Sequence, residues 1–149
     1  MKDLQISPLM TITGDNRYNV MQIQELLSRM PQTIREYGEQ AAEAMAEVEM
    51  RKADLKKARA IVMLEASVRK EQLGLSSEKD RVAYTDQDVR VVEAEISLIE
   101  ARGNYESTKL KYEQADNTFV AVRKLASMIQ ADEENQKLYE RYRNPNTDS

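Results

Sequence analysis

The stretch that decides the fold is residues 89–131, VRVVEAEISLIEARGNYESTKLKYEQADNTFVAVRKLASMIQA. Its apolar and near-apolar positions are Val91, Ala94, Leu98, Ala101, Tyr105, Thr108, Tyr112, Ala115, Phe119, Val122, Ala126 and Ile129. They follow alternating steps of three and four. That spacing keeps one stripe on one side of a helix and is the mark of a coiled-coil seam. The stretch has no proline and one glycine, at 103. A second stripe, Val89, Val92, Ile96 and Ile99, widens the apolar face near the start, so this end can pack against more than one helix. The spacing predicts a helix over about 86–131, entered through Thr85-Asp86-Gln87-Asp88, which has the form of a capping box.

Upstream, residues 31–73 are rich in Ala, Glu, Lys, Arg and Met, and only Gly38 interrupts them after Pro31. These are strong helix formers. Ile34, Ala41, Val48, Leu55 and Val62 recur every seven residues, with Met45, Ala58 and Ala66 beside them. The pattern predicts a long helix from Pro31 to Leu73, with Gly74 placed as a terminating C′ glycine. Residues 74–84 are polar, with Gly and Ser, and are expected to be a loop. A short helix over about 15–30 is expected before Pro31, capped by Asp15 and ended by the proline. Residues 1–14, interrupted by Pro8, read as an extended apolar arm, and 132–149 as a polar tail, partly disordered. The expectation is therefore all-α: one helical domain over 15–131, built from a short helix and two long helices in an antiparallel coiled-coil hairpin. One seam per helix leaves much surface wet, so self-association into a homo-oligomer is expected.

Composition excludes several chemistries. The 149 residues include no Cys, no His and no Trp. Zinc sites lose their usual ligands, and cysteine nucleophiles, histidine acid–base catalysis and disulfides are impossible. The glutamates at 36, 39, 43, 47 and 49 lack the histidines of a di-metal bundle and read as a solvated face. No phosphate-binding glycine loop is present, and Ser76 and Ser77 have no base beside them. Neither an enzyme nor a cofactor is expected. No apolar run approaches the roughly 18 residues of a membrane span, and the first residues lack the pattern of a signal peptide, so the expected location is cytoplasmic.

Charge distribution says more than the net charge of −4. Residues 34–50 carry one Arg against five Glu, a local charge of −4. Residues 51–81 carry nine Lys and Arg against five acids, a local charge of +4. Lys52, Lys56 and Arg59 lie at i, i+4 and i+7, with Lys57 bordering them. Arg69, Lys70, Lys79 and Arg81 continue the basic character toward the loop. These eight residues are the candidate nucleic-acid contacts, because a run of exposed cations gives salt-dependent, sequence-independent affinity for phosphates. The same pattern fits a solvated face paired with glutamates. Tyr105, Tyr112 and Phe119 could stack on bases, but their register places them in the seam. Tyr84, beside Lys79 and Arg81, is the better stacking candidate.

The segment Leu55-Lys56-Lys57-Ala58-Arg59, the polar loop, the entry Thr85-Asp86-Gln87-Asp88-Val89 and the long helix to Met128-Ile129 resemble the UvsY-type recombination mediators of tailed phages, over about residues 31–130. The resemblance implies a homo-oligomer that binds single-stranded DNA. It also implies loading of a RecA-like recombinase onto strands coated by single-strand-binding protein. Carried over by position, the family's Lys-x-Arg pair is Lys57 and Arg59. The host cytoplasm would then be the location. The alternative is a coiled-coil scaffold, adaptor or assembly chaperone that binds no nucleic acid. Whether Lys56, Lys57 and Arg59 are exposed together or paired with Glu separates the two.

Overall fold

The computed structural model describes residues 16–144, with side chains described from residue 20 onward. Every element among these residues is helical: α1 (Asn16–Val68), α2 (Lys70–Leu73), α3 (Glu78–Gln87) and α4 (Val89–Arg143). The two long helices, α1 and α4, pack against each other. The expected arm over 1–14, the Asp15 cap and the last residues of the tail lie outside the described residues.

Contacts divide the described residues into two compact units, 16–35 with 113–144, and Glu36–Tyr112. Both long helices contribute to each unit. In the first unit Ile23, Met30 and Val122 are buried, with Leu26, Leu27, Ile34, Phe119 and Leu125 packed around them. In the second, Val48, Leu98 and Ala101 are buried, with Leu55 and Tyr105 against them. Val62, Ala66 and Val91 are also fully buried. Within the second unit Glu65 meets Arg90, Arg59 meets Glu95, and the ring of Tyr112 lies at Gly38. Rising numbers on α1 thus meet falling numbers on α4, so the two helices run in opposite directions there. A Cβ on Gly38 would stand 3.3 Å from Cε2 of Tyr112, which explains the one glycine of this helical stretch.

The seam read from α4 is the face it buries. Val91, Leu98, Ala101, Ala115 and Val122 are buried, and the remaining seam positions are half-buried apart from Tyr112, at the edge of exposure. On α1 the buried members are Ala44, Val48, Val62 and Ala66, while Met45 is exposed. Ala44 takes the inward place because four-residue steps from Val48 and three-residue steps from Met45 diverge along a helix of 3.6 residues per turn.

Three helix boundaries differ from expectation. Pro31 does not end a helix; it sits inside α1. A proline there forfeits one i to i−4 hydrogen bond and crowds the preceding turn. The helix continues because Ile23 and Met30 before it and Ile34 after it share one apolar core, and Pro31 itself is exposed. The expected loop over 74–84 shrinks to residues 74–77, and Glu78–Gln87 is helix. Ser77 caps it, its hydroxyl accepting from the Asp80 N–H at 3.1 Å, with Glu78 and Asp80 in the positive first turn. The expected capping role of Thr85 falls instead to Asp88. Thr85 is buried near the end of α3 and donates to the Arg81 carbonyl at 2.8 Å. Asp88 accepts from the Arg90 N–H at 2.9 Å and starts α4. At its far end α4 runs on to Arg143, next to Tyr142, the residue to which the sequence allows the helix to continue. Gly74 does stand where a C′ glycine belongs, left-handed at φ 68°, with its N–H donating to the Lys70 carbonyl.

Candidate functional site

Five of the eight candidate cations lie on α1 or at its end. Lys52 is bound within its own helix, Nζ to Glu49 Oε1 at 2.8 Å. Arg59 reaches across to α4, donating to Glu95 Oε1 at 2.5 Å, with Asp86 of α3 at 3.7 Å. Lys56 and Lys57 are exposed, with no ion pair among the described residues. Arg69 contacts Gln72 at 3.5 Å, where it starts the short α2 that also carries Lys70. Lys70 and Lys79 are exposed. Arg81 is half-buried and holds the connection, its Nη1 donating to the carbonyls of Leu75 at 3.3 Å and Ser76 at 3.5 Å.

Lys57 and Arg59 take different surroundings. Lys57 borders a shallow groove with Asp54, Ala58, Ile61 and Arg90, on the side of α1 that meets Arg90. Arg59, two residues on, is tied to Glu95 and Asp86. Residues two apart on a helix do not share a face, so Lys57 and Arg59 cannot clamp one phosphate. The acids that hold Arg59 are not those of the 36–49 face; of that face, Glu49 holds Lys52 and Glu47 holds Arg51 at 2.7 Å. Tyr84 is half-buried, Tyr105 and Phe119 pack in the two cores, and Arg123 lies over the Phe119 ring at 5.7 Å.

The strongest electrostatic feature was not among the candidates. Arg90 grips Glu65 with two parallel hydrogen bonds, Nη1 to Oε1 at 2.9 Å and Nη2 to Oε2 at 2.6 Å. It also reaches Asp88 through Nε and Nη2, both at 3.0 Å. Its side-chain hydrogen bonds, aided by its charge, hold the carboxyls of Glu65 and Asp88 below their ordinary range, and the same bonds raise its own pKa. The geometry is a bidentate brace between α1 and the start of α4. No signal in the sequence pairs 65 with 90, since only the fold brings them together.

Exposed apolar rows are the other feature. On α4, Val89, Val92, Ile96 and Ile99 keep the i, i+3, i+7, i+10 spacing yet face outward, Val89 and Ile99 at 67% and 66% exposure. This is the second stripe read from the sequence, and no helix among the described residues covers it. On α1, Ile61, Leu64 and Val68 form another such row, Leu64 and Val68 at 66% and 76% exposure. In the first unit an open groove of about 430 Å³ lies between Val20, Leu27 and Ile129, with Glu133, Glu134 and Lys137 at its polar edge. Among the described residues no three acidic side chains stand close enough to hold a metal ion, and no helix is long and apolar enough to cross a membrane.

No known protein family matches this chain, and no curated protein or solved structure matches it.

Proposed function

We propose that this chain is a helical scaffold or adaptor that works through protein–protein contacts on the outer faces of its long helices. The observation that carries this reading is the pair of exposed apolar rows, Ile61/Leu64/Val68 on α1 and Val89/Val92/Ile96/Ile99 on α4. Ordered rows of large apolar residues on a charged surface mark interaction sites. Regular spacing suits a helix as the partner, laid along i, i+3 and i+7 anchors. The seam positions turn inward and leave those rows displayed on the outside. In this reading Arg59 and Arg81 are structural, and the remaining cations keep the surface solvated.

A second reading is the single-stranded-DNA-binding recombination mediator, with a RecA-like recombinase and single-strand-binding protein as partners. Lys56, Lys57, Lys70 and Lys79 favour it, because they are exposed and hold no ion pair among the described residues. Fluorescence anisotropy of a labelled single-stranded oligonucleotide, titrated at ~50 and ~200 mM salt, separates the two. The scaffold reading expects no salt-sensitive binding. Binding that salt weakens, and that Lys56→Ala/Lys57→Ala weakens further, overturns it in favour of the mediator.

A further inference from the structure

We propose that the outward face of α1, from Glu43 to Val68, pairs with the same face of a second copy of this chain, helix on helix and antiparallel. The proposal rests on the protein-contact reading above and names its partner for α1.

The face is continuous and independent of the internal seam. Val48, Leu55, Val62 and Ala66 turn toward α4 and are buried or half-buried. Met50, Lys57 and Leu64 recur every seven residues, with Ile61 and Val68 flanking, and all five are exposed, Lys57 and Ile61 at the edge of the groove beside Arg90. Ala46, Ala53 and Ala60, also exposed, fall between them. Their small side chains let a second helix come close enough for Met50 and Leu64 to be covered.

Charge chooses the partner and its direction. Residues 34–50 carry −4. Residues 51–68 carry five basic and two acidic residues, +3. A second copy crossing antiparallel near residue 53 lays each acidic half along the other's basic half. A parallel copy in register lays like on like. Glu43, Lys56 and Lys57 have no ion pair within the chain among the described residues, so they remain available to the partner. The row on α4 fails the same test. Glu93 and Glu100 stand beside it, so α4 against its own copy sets carboxylate against carboxylate. The α1 pair is isologous and closes at two.

The absence of cysteine makes the test clean. Ala46→Cys and Ala60→Cys are introduced separately into the full chain, and the two proteins are mixed and treated with a short bismaleimide. Antiparallel pairing near 53 places 46 beside 60 of the other copy, so the mixture cross-links. Each variant alone does not, because like positions then lie 14 residues apart, roughly 21 Å at 1.5 Å per residue. Sedimentation equilibrium of the wild type shows a dimer. Leu64→Lys, at an exposed position outside the internal core, gives a monomer with unchanged circular dichroism, whose thermal midpoint no longer rises with protein concentration. A monomeric wild type, cross-linking of Ala46→Cys with itself, dimers that survive Leu64→Lys, or growth beyond two chains with concentration each overturn the pairing. The oligonucleotide titration is read separately, so a failed pairing and a failed scaffold reading are distinguishable.

Discussion

Arg90 binds two carboxylates with one guanidinium, Glu65 at the end of α1 and Asp88 at the start of α4. Hydrogen bonds to that guanidinium lower both carboxyl pKa values in the folded state. A carboxylate with a depressed folded pKa adds stability that is fully present above its unfolded pKa. The stability is lost as pH falls through the folded value, because the unfolded chain takes up the proton first. The brace therefore holds at neutral pH and fails below about pH 4, where free carboxylates titrate. Arg90→Ala should lower the thermal midpoint at pH 7 and flatten its decline between neutral and acid pH; an unchanged pH profile would contradict the assignment. The glycines give a second residue-scale test. Gly103 is an exposed position in α4 where an added Cβ meets nothing within 4 Å, so Gly103→Ala should stabilise by about 1 kcal/mol. Gly74 is left-handed with equally open space around it, so Gly74→Ala should destabilise by about 1 kcal/mol through backbone strain alone. Urea unfolding measures both, and the opposite signs at two uncrowded glycines isolate the backbone effect.

Elements were legible where a period repeats many times. The twelve seam positions of α4 could be read because each turn restates the same face, and they are the face it turns inward. Ends were less legible, because a local rule can be overruled by packing. Pro31 obeys the rule for a helix stop, yet core contacts on both sides carry α1 through it. Thr85-Asp86-Gln87-Asp88 has the letters of a cap, but Thr85 is buried with its hydroxyl on the Arg81 carbonyl, and Asp88 starts α4. The polar composition of 78–84 reads as a loop, although Ser77 and the acids after it open a helix. At the candidate site, the charge run was visible and its division was not. Arg59 and Lys57 separate only when the position of α4 is known. If packing carries α1 through Pro31, then Pro31→Ala restores an amide donor and removes the ring's crowding without loss of buried area. The variant should be more stable by about 2 kcal/mol with no fall in helical ellipticity. Lower stability would show that the proline belongs to a real break.

The whole molecule buries one face of each long helix and leaves others apolar and exposed. Its two cores, around Met30 and Val122 and around Val48 and Leu98, are each assembled from both long helices. What remains outside is rich in information of one kind: spaced aliphatic rows, a sign change along α1, and cations that are mostly engaged or scattered. A surface so built favours helical protein partners over a nucleic-acid track, which would want its cations aligned and free. The most direct test of that claim is sedimentation velocity of the wild-type chain mixed with a labelled single-stranded oligonucleotide at low salt, following protein and label in the same cell. The account predicts that the protein sediments as a dimer while the label moves at the rate of free oligonucleotide. Label travelling with the protein at low salt, and released at higher salt, would contradict it.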